Sequence, residues 1–278
     1  MDLALVVMAA GLGSRFGGNK QLVEVGPTGE VFFDFAIADS VGAGADHVVL
    51  IVRREFERTV RDHVEARYGD AFRLSTVCQD EFGPQRGKPW GTAHAVLSIA
   101  EVVDQPFMVV NADDYYGEKS YGLLAGSLSV APPNTALLAA FRLGNTLPPH
   151  GTVSRGVCRV VGDRLASLVE THGIGRADDG QIVSTDPAGQ HLDDTPVSMN
   201  MWGFGPELFV HLERCWSEFY KLHKDDPKTE FLLPTTVASL RDEGLLDVRV
   251  VHTDDEWIGV TNPDDLEPAR LRLRELRT

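Results

Sequence analysis

The hydrophobic pattern divides the chain into a regular first half and a less regular second half. In the first, uninterrupted apolar runs alternate with amphipathic stretches. LALVVM (3–8), HVVLIV (47–52), FRLSTVC (72–78) and PFMVVNA (106–112) read as strands. REFERTVRDHVEARY (54–68) and TAHAVLSIAEVV (92–103) carry helical periodicity. Strands apolar on both faces, with helices between them, predict a mostly parallel, doubly wound α/β sheet. Ligands of such sheets bind beyond the carboxyl ends of the strands, and the polar motifs of this half fall there. In the second half TALLAAFRL (135–143), TVSRGVCRVV (152–161), PVSMNMWGF (196–204) and LDVRVV (246–251) read as strands. Residues 207–222, 230–244 and 262–276 read as helices, the middle one interrupted at Pro234. The polar stretch 176–196 is expected to be a long surface loop or hairpin. No repeat, low-complexity tract or linker breaks the chain, so a single domain is expected over 1–278.

Composition narrows the partners. A chain of 278 residues is near the upper size for one hydrophobic core. The net charge of −15, without a Lys/Arg cluster, argues against nucleic acid and against anionic membranes. No apolar run reaches the ~18 residues of a membrane span. Cys78, Cys158 and Cys215 are sparse, odd in number and not at metal spacing, which favours a reducing, cytoplasmic setting over disulfides or zinc. MDLALVVMAAGLG lacks a basic leader and runs straight into a Gly-rich turn, so it reads as a first strand and not as a signal peptide.

Candidate chemistry lies in four places. AAGLGSRFGGNK (9–20) follows the first strand. Its Gly11, Gly13, Gly17 and Gly18 allow tight turns and close backbone approach, successive N–H groups form an anion nest, and Arg15 and Lys20 add charge for phosphates. A dinucleotide turn or a plain strand–helix turn would not need both cations, and GxxxxGK[ST] is absent. In QDEFGPQRGKPWGTAHAV (79–96) the Gln79 amide can read a nucleobase edge, and Gly91-Thr92 opens a helix whose N–H groups can serve a base or phosphate. The plainer reading is a surface Gln and an N-cap Thr. In VVNADDYYG (109–117) Asp113 and Asp114 offer hard oxygens suited to Mg²⁺, although acidic pairs at strand ends are often turn residues. The fourth set is scattered: Gly151-Thr152, Glu170, Asn200 and Lys228-Thr-Glu230. A buried Asn needs partners, which a ligand hydroxyl or the protein itself can supply. Trp90 and Trp202 are candidates for the site wall or for the core.

Read together, AAGLGSRFGGNKQL, KPWGTAHAV and NADDYYG resemble the sugar-nucleotide pyrophosphorylase superfamily, within a subgroup that also carries HGTVSRGVC and SMNMWGF. The resemblance implies a Rossmann-like nucleotide-diphospho-sugar transferase fold, similar to GT-A glycosyltransferases. It divides the domain into a nucleotide-binding half (1–130) and an acceptor-binding half (131–278). It implies an Mg²⁺-dependent nucleotidyltransferase that joins a nucleoside monophosphate to a sugar 1-phosphate. UTP or dTTP is the favoured donor and CTP the alternative. In that reading Arg15, Lys20 and Asp113 are catalytic. Ala10, Gly11, Gly13, Gln79, Gly91, Thr92 and Asp113 bind the nucleotide, and Asp113 and Asp114 the metal. Gly151, Glu170, Asn200 and Lys228 bind the acceptor. A homo-oligomer is compatible with it. Where relatives carry a second metal ligand near the last strand, WIGVTNPDDL (257–266) places Gly259 or Thr261. That segment is more similar to alditol-phosphate cytidylyltransferases, which makes a polyol, cyclitol or phosphonate acceptor the second reading. A glycosyltransferase would not need the cationic glycine loop.

Overall fold

The computed structural model describes residues 2–11, 22–148, 150–260 and 263–277. The first half contains β1 (Ala4–Met8), α1 (Phe32–Gly42), β2 (His47–Val52), α2 (Arg54–Tyr68), β3 (Arg73–Cys78), α3 (Thr92–Leu97), β4 (Phe107–Asn111), β5 (Asp114–Tyr115) and α4 (Glu118–Leu128). The second contains β6 (Thr135–Arg142), β7 (Val153–Val161), β8 (Arg164–Arg176), β9 (Ile182–Thr185), β10 (Ala188–His191), β11 (Pro196–Phe204), α5 (Leu208–His223), α6 (Leu233–Asp242), β12 (Asp247–Thr253), β13 (Ile258–Gly259) and α7 (Leu266–Leu276).

One sheet runs through both halves in the order β10-β9-β8-β12-β6-β11-β4-β1-β2-β3, with β7 pairing both β11 and β8. β3, β2, β1 and β4 are mutually parallel. β11 is antiparallel to β4 and β6, and β12 is parallel to β6. The carboxyl ends of β1, β4 and β6 therefore share an edge with the start of β11. This is the expected Rossmann-like mixed sheet, parallel along β3-β2-β1-β4 and between β6 and β12 and antiparallel at its other pairings. Its central strands are apolar throughout because both faces are covered: every residue of β2 is buried. A truncation such as Leu50→Ala there costs about 2–5 kcal/mol.

The departures from the sequence pattern have physical causes. The helix expected over 92–103 ends at Leu97 and continues as turns. Pro234 does not interrupt α6 but starts it, standing in the first turn where a missing N–H costs nothing. The 176–196 stretch is the β9–β10 hairpin. Helix α1 escapes helical periodicity because it has no polar face. Phe33, Ala36 and Ile37 pack on the sheet core, whereas Phe32 and Phe35 join a second cluster with Tyr115, Ala269 and Leu273. Its buried Asp34 accepts from the Val31 N–H at 2.9 Å and faces His63 Nε2 at 2.9 Å.

Candidate active site

The chain leaves β1 at Met8, which is in register with Ile51 of β2 and Asn111 of β4. The Ala9 N–H donates to the Ile51 carbonyl at 2.7 Å, and the Ala112 N–H to the Met8 carbonyl at 3.2 Å. Ala10 and Gly11 thus start the glycine loop at the carboxyl edge of the sheet. Gly13, Arg15 and Lys20 lie outside the described residues, as do Gly17, Gly18 and Thr261.

Beside Ala10 is a pocket also lined by Gln79, Phe82, Arg86 and Trp90. Gln79 is buried, not a surface residue, and its Nε2 donates to the Gly91 carbonyl at 3.0 Å. Gly91 is required by geometry: its φ is +114°, and a Cβ there would lie 2.4 Å from the Phe231 carbonyl oxygen. That carbonyl accepts the Ala93 N–H at 2.9 Å, and the Phe231 N–H donates to the Trp90 carbonyl at 2.6 Å. The helix-opening N–H of Ala93 is therefore engaged by the protein and is not one that serves a ligand. Thr92 does not cap its own helix. Its hydroxyl accepts the Leu233 N–H at 2.9 Å and so caps α6. Trp90 is buried yet lines the pocket, with the Arg86 guanidinium 4.1 Å above its ring. Trp202 is core.

The aspartates follow β4. Asp113 is half-buried and Asp114 is buried. Asp114 Oδ2 accepts from Asn111 Nδ2 at 2.8 Å and from the Tyr116 hydroxyl at 3.2 Å, and that hydroxyl accepts the Asn111 N–H. Burial and the Asp114 charge hold the Tyr116 phenol far above its ordinary range, so it stays a donor. The late segment where a second ligand was sought reaches this place: β13 pairs with β5 so that Gly259 faces Asp114. A Cβ at Gly259 would lie 2.9 Å from Asp114 Oδ1 and inside the Trp257 ring, so no side chain fits there. Asp255, just before, caps α4 by accepting the Ser120 N–H at 2.8 Å. Among the described residues no three His, Cys, Asp or Glu side chains form a metal cluster.

Sequence reasoning passed over Arg155. Its guanidinium is buried on β7, lies 4.7 Å over the Trp257 ring, and donates to Thr146 Oγ1 at 3.1 Å and the Ser154 carbonyl at 2.8 Å. Burial draws its pKa down to about 10, against the opposing charges of Asp114 and Glu170. The available signal was an arginine, one of two in the strand, next to a glycine. It places a buried positive charge within the electrostatic reach of Asp114 and Glu170 in an acidic protein.

Of the acceptor candidates, Glu170 and Asn200 lie on strands β8 and β11, which flank β7. Gly156 of β7 pairs with Glu170 of β8 on one side and Ser198 of β11 on the other, and the Asn200 N–H donates to Ser198 Oγ at 3.3 Å. Asn200 is half-buried in a bulge, with φ +62°. It lies two residues before Trp202, which pairs with Val109 of β4 toward the carboxyl edge. Gly151 (φ +87°) precedes β7, its carbonyl against Gly175 of β8. Lys228 stands elsewhere, exposed in the α5–α6 loop whose carbonyls at Asp226 and Thr229 accept from Arg86.

Residues 5–116 match the family model of the MobA-like NTP transferase domain. No curated protein matches the chain significantly. Three similar solved structures cover almost all of it. One is a protein assigned as a glucose-1-phosphate thymidylyltransferase, from Bacillus anthracis (13% identity, 99% of this chain and 97% of that one, TM-score 0.66). Another is the inositol-1-phosphate CTP transferase of T. maritima (14%, 98% and 94%, 0.63). The third is a UDP-glucose pyrophosphorylase from Acinetobacter baumanii (15%, 98% and 93%, 0.63). At such identities the likeness is one of fold. By sequence, then, residues 5–116 are similar to the MobA-like NTP transferase domain, and the chain as a whole shares the fold of these three nucleotidyltransferase structures.

Proposed function

We propose that the protein transfers a nucleoside monophosphate from an NTP to a sugar 1-phosphate and releases pyrophosphate. The observation that carries this reading is the convergence of the glycine-loop entry, the Gln79–Trp90 pocket and the Asp113–Asp114 pair at one carboxyl edge, inside the segment matched by the NTP transferase family. An acceptor phosphate oxygen attacks the α-phosphorus, the bond to the β-phosphate oxygen breaks, and pyrophosphate leaves. The attacking phosphate, with a second pKa of about 6, is already largely dianionic at neutral pH and needs no general base. What the protein must supply is alignment of two anions and charge neutralisation. Arg15 and Lys20 are assigned to the donor phosphates. Gln79, Gly91 and Thr92 are assigned to the base, and Glu170, Asn200 and Gly151 to the acceptor. Lys228, exposed in the α5–α6 loop, is assigned to the acceptor as well.

The donor set fits Mg²⁺. Asp113 and Asp114 are hard carboxylates, Asp114 is held in place by Asn111 and Tyr116, and this ion takes one or two protein oxygens and completes its shell with phosphate and water. Bound there, it would neutralise charge at the transferring phosphoryl group. The reading carries with it a cytoplasmic location and room for a homo-oligomer. Among the described residues no helix is long and apolar enough to cross a membrane.

One observation favours a second acceptor class. Gly259 leaves no room for a ligating side chain beside Asp114, and the following GVTNPDDL resembles cytidylyltransferases. A polyol, cyclitol or phosphonate acceptor with CTP is the reading that follows. Pyrophosphate release, with Mg²⁺ and with chelator, should be measured for the four NTPs and dTTP against sugar 1-phosphates and polyol phosphates. Chelator-sensitive release with one sugar 1-phosphate is expected. Release only with a polyol or cyclitol phosphate would replace the acceptor, and silence with every pair would overturn the proposal.

A further inference from the structure

Gln79 is 6% exposed at the end of β3 and lines the pocket. Its Nε2 donates to the Gly91 carbonyl at 3.0 Å and faces His94 Nδ1 at 3.5 Å. A carbonyl can only accept, so the amide nitrogen must point inward. The amide oxygen has no hydrogen-bond partner among the described residues and is the polar atom left for the pocket. Sequence reasoning allowed this amide one donor and one acceptor toward a base; the donor side is occupied by the protein.

His94 completes the arrangement. It is fully buried, packed 4.6 Å from the Trp216 ring centroid and 5.2 Å from that of Phe82. Burial and the Arg86 charge draw its pKa down to about 4, so the imidazole is neutral at ordinary pH. A neutral imidazole has one N–H and one lone pair. An N–H at Nδ1 would oppose the Gln79 N–H, so Nδ1 carries the lone pair and Nε2 the hydrogen. That Nε2 is buried and has no hydrogen-bond partner. Leaving a buried donor unpaired is costly; a plain core position would be filled by an apolar ring.

We propose that His94 is a positioning residue that holds the Gln79 amide with its oxygen toward the pocket, so that the base is read through a hydrogen it donates, the imide N–H of uracil or thymine rather than the ring lone pair that cytosine presents at the same atom. This rests on the nucleotidyltransferase reading. The test is equilibrium binding of UTP, dTTP, CTP and N3-methyl-UTP to the full chain, then to His94→Phe, which keeps a ring but no acceptor, and to His94→Asn, whose Oδ1 stands near the place of Nδ1. The wild type is expected to bind UTP or dTTP at least about tenfold tighter than CTP and N3-methyl-UTP, the scale of one oriented hydrogen bond. His94→Phe, which leaves the Gly91 carbonyl in place, should lower that ratio measurably, and His94→Asn should recover it. Equal binding of UTP and N3-methyl-UTP by the wild type, which needs no variant to fold, overturns the inference. So does an unchanged ratio in His94→Phe, or a preference for CTP, and these leave the enzymatic reading standing. Binding of no nucleoside triphosphate removes both.

Discussion

The four parallel strands β1 to β4 and the strands β6, β7, β8 and β11 belong to one sheet, yet they deliver polar residues to its edge in different ways. In the parallel part each strand ends at the same edge, so a residue just after a strand is placed there: Gly11 after β1, Gln79 after β3, Asp113 after β4. In the antiparallel part the relevant residues sit within strands and meet only through pairing. Glu170 and Ser198 flank Gly156 although they come from strands β8 and β11. Local chain direction suffices for the first arrangement, whereas long-range register decides the second.

The largest effect should come from the phosphate and metal residues of the parallel part. Arg15→Ala, Lys20→Ala or Asp113→Ala is expected to reduce turnover about 10²–10³-fold in a pyrophosphate-release assay, the usual cost of losing one preorganised charge contact. Near wild-type turnover would remove that residue from the proposed machinery. The next contrast sets a glycine of each part against the other. Gly91→Ala meets both a strained φ and the Phe231 carbonyl, whereas Gly151→Ala at φ +87° has nothing within 4 Å. Losses of about 3 and about 1 kcal/mol are expected in urea unfolding. Equal losses would show that Gly91 is not wedged against the Phe231 backbone.

The buried imidazole adds a pH dependence. The pKa of His94 falls from an ordinary 6.5 to about 4 on folding. Between these values the unfolded chain binds the proton and the folded chain does not. Stability from this site is therefore full above pH about 6.5 and is lost as pH falls toward 4. Thermal melting over that window should slope less in His94→Asn than in the wild type; parallel slopes would mean that His94 does not titrate as its burial requires. The smallest effect belongs to a cap. Thr92→Val removes the acceptor of the Leu233 N–H and should cost about 1 kcal/mol, with faster amide exchange in the first turn of α6. A change confined to nucleotide affinity would instead give Thr92 a purely ligand-facing role.

Much of the parallel half was legible because its strands are buried on both faces and its turns carry the polar residues. Helix α1 was not, since it is wedged between two apolar clusters and shows no polar stripe. Helix α4, strand β8 and the short β5–β13 pair went unread as well. The β5–β13 pair spans only two residues on each side, too few for a period, and joins residues far apart in the chain.

By itself the sequence determined the α/β class, the direction of the first four strands, and the strand ends at which chemistry is sought, because hydrophobic period and turn residues act over a few neighbours. Tertiary structure alone decided that Gln79 offers an oxygen and not a full amide, that Thr92 serves α6, that Gly259 abuts Asp114, and that Arg155 feels the charges of both Asp114 and Glu170. Each of these depends on which distant group occupies a donor, an acceptor or a van der Waals volume, and that occupancy is fixed only when the strands and helices have packed.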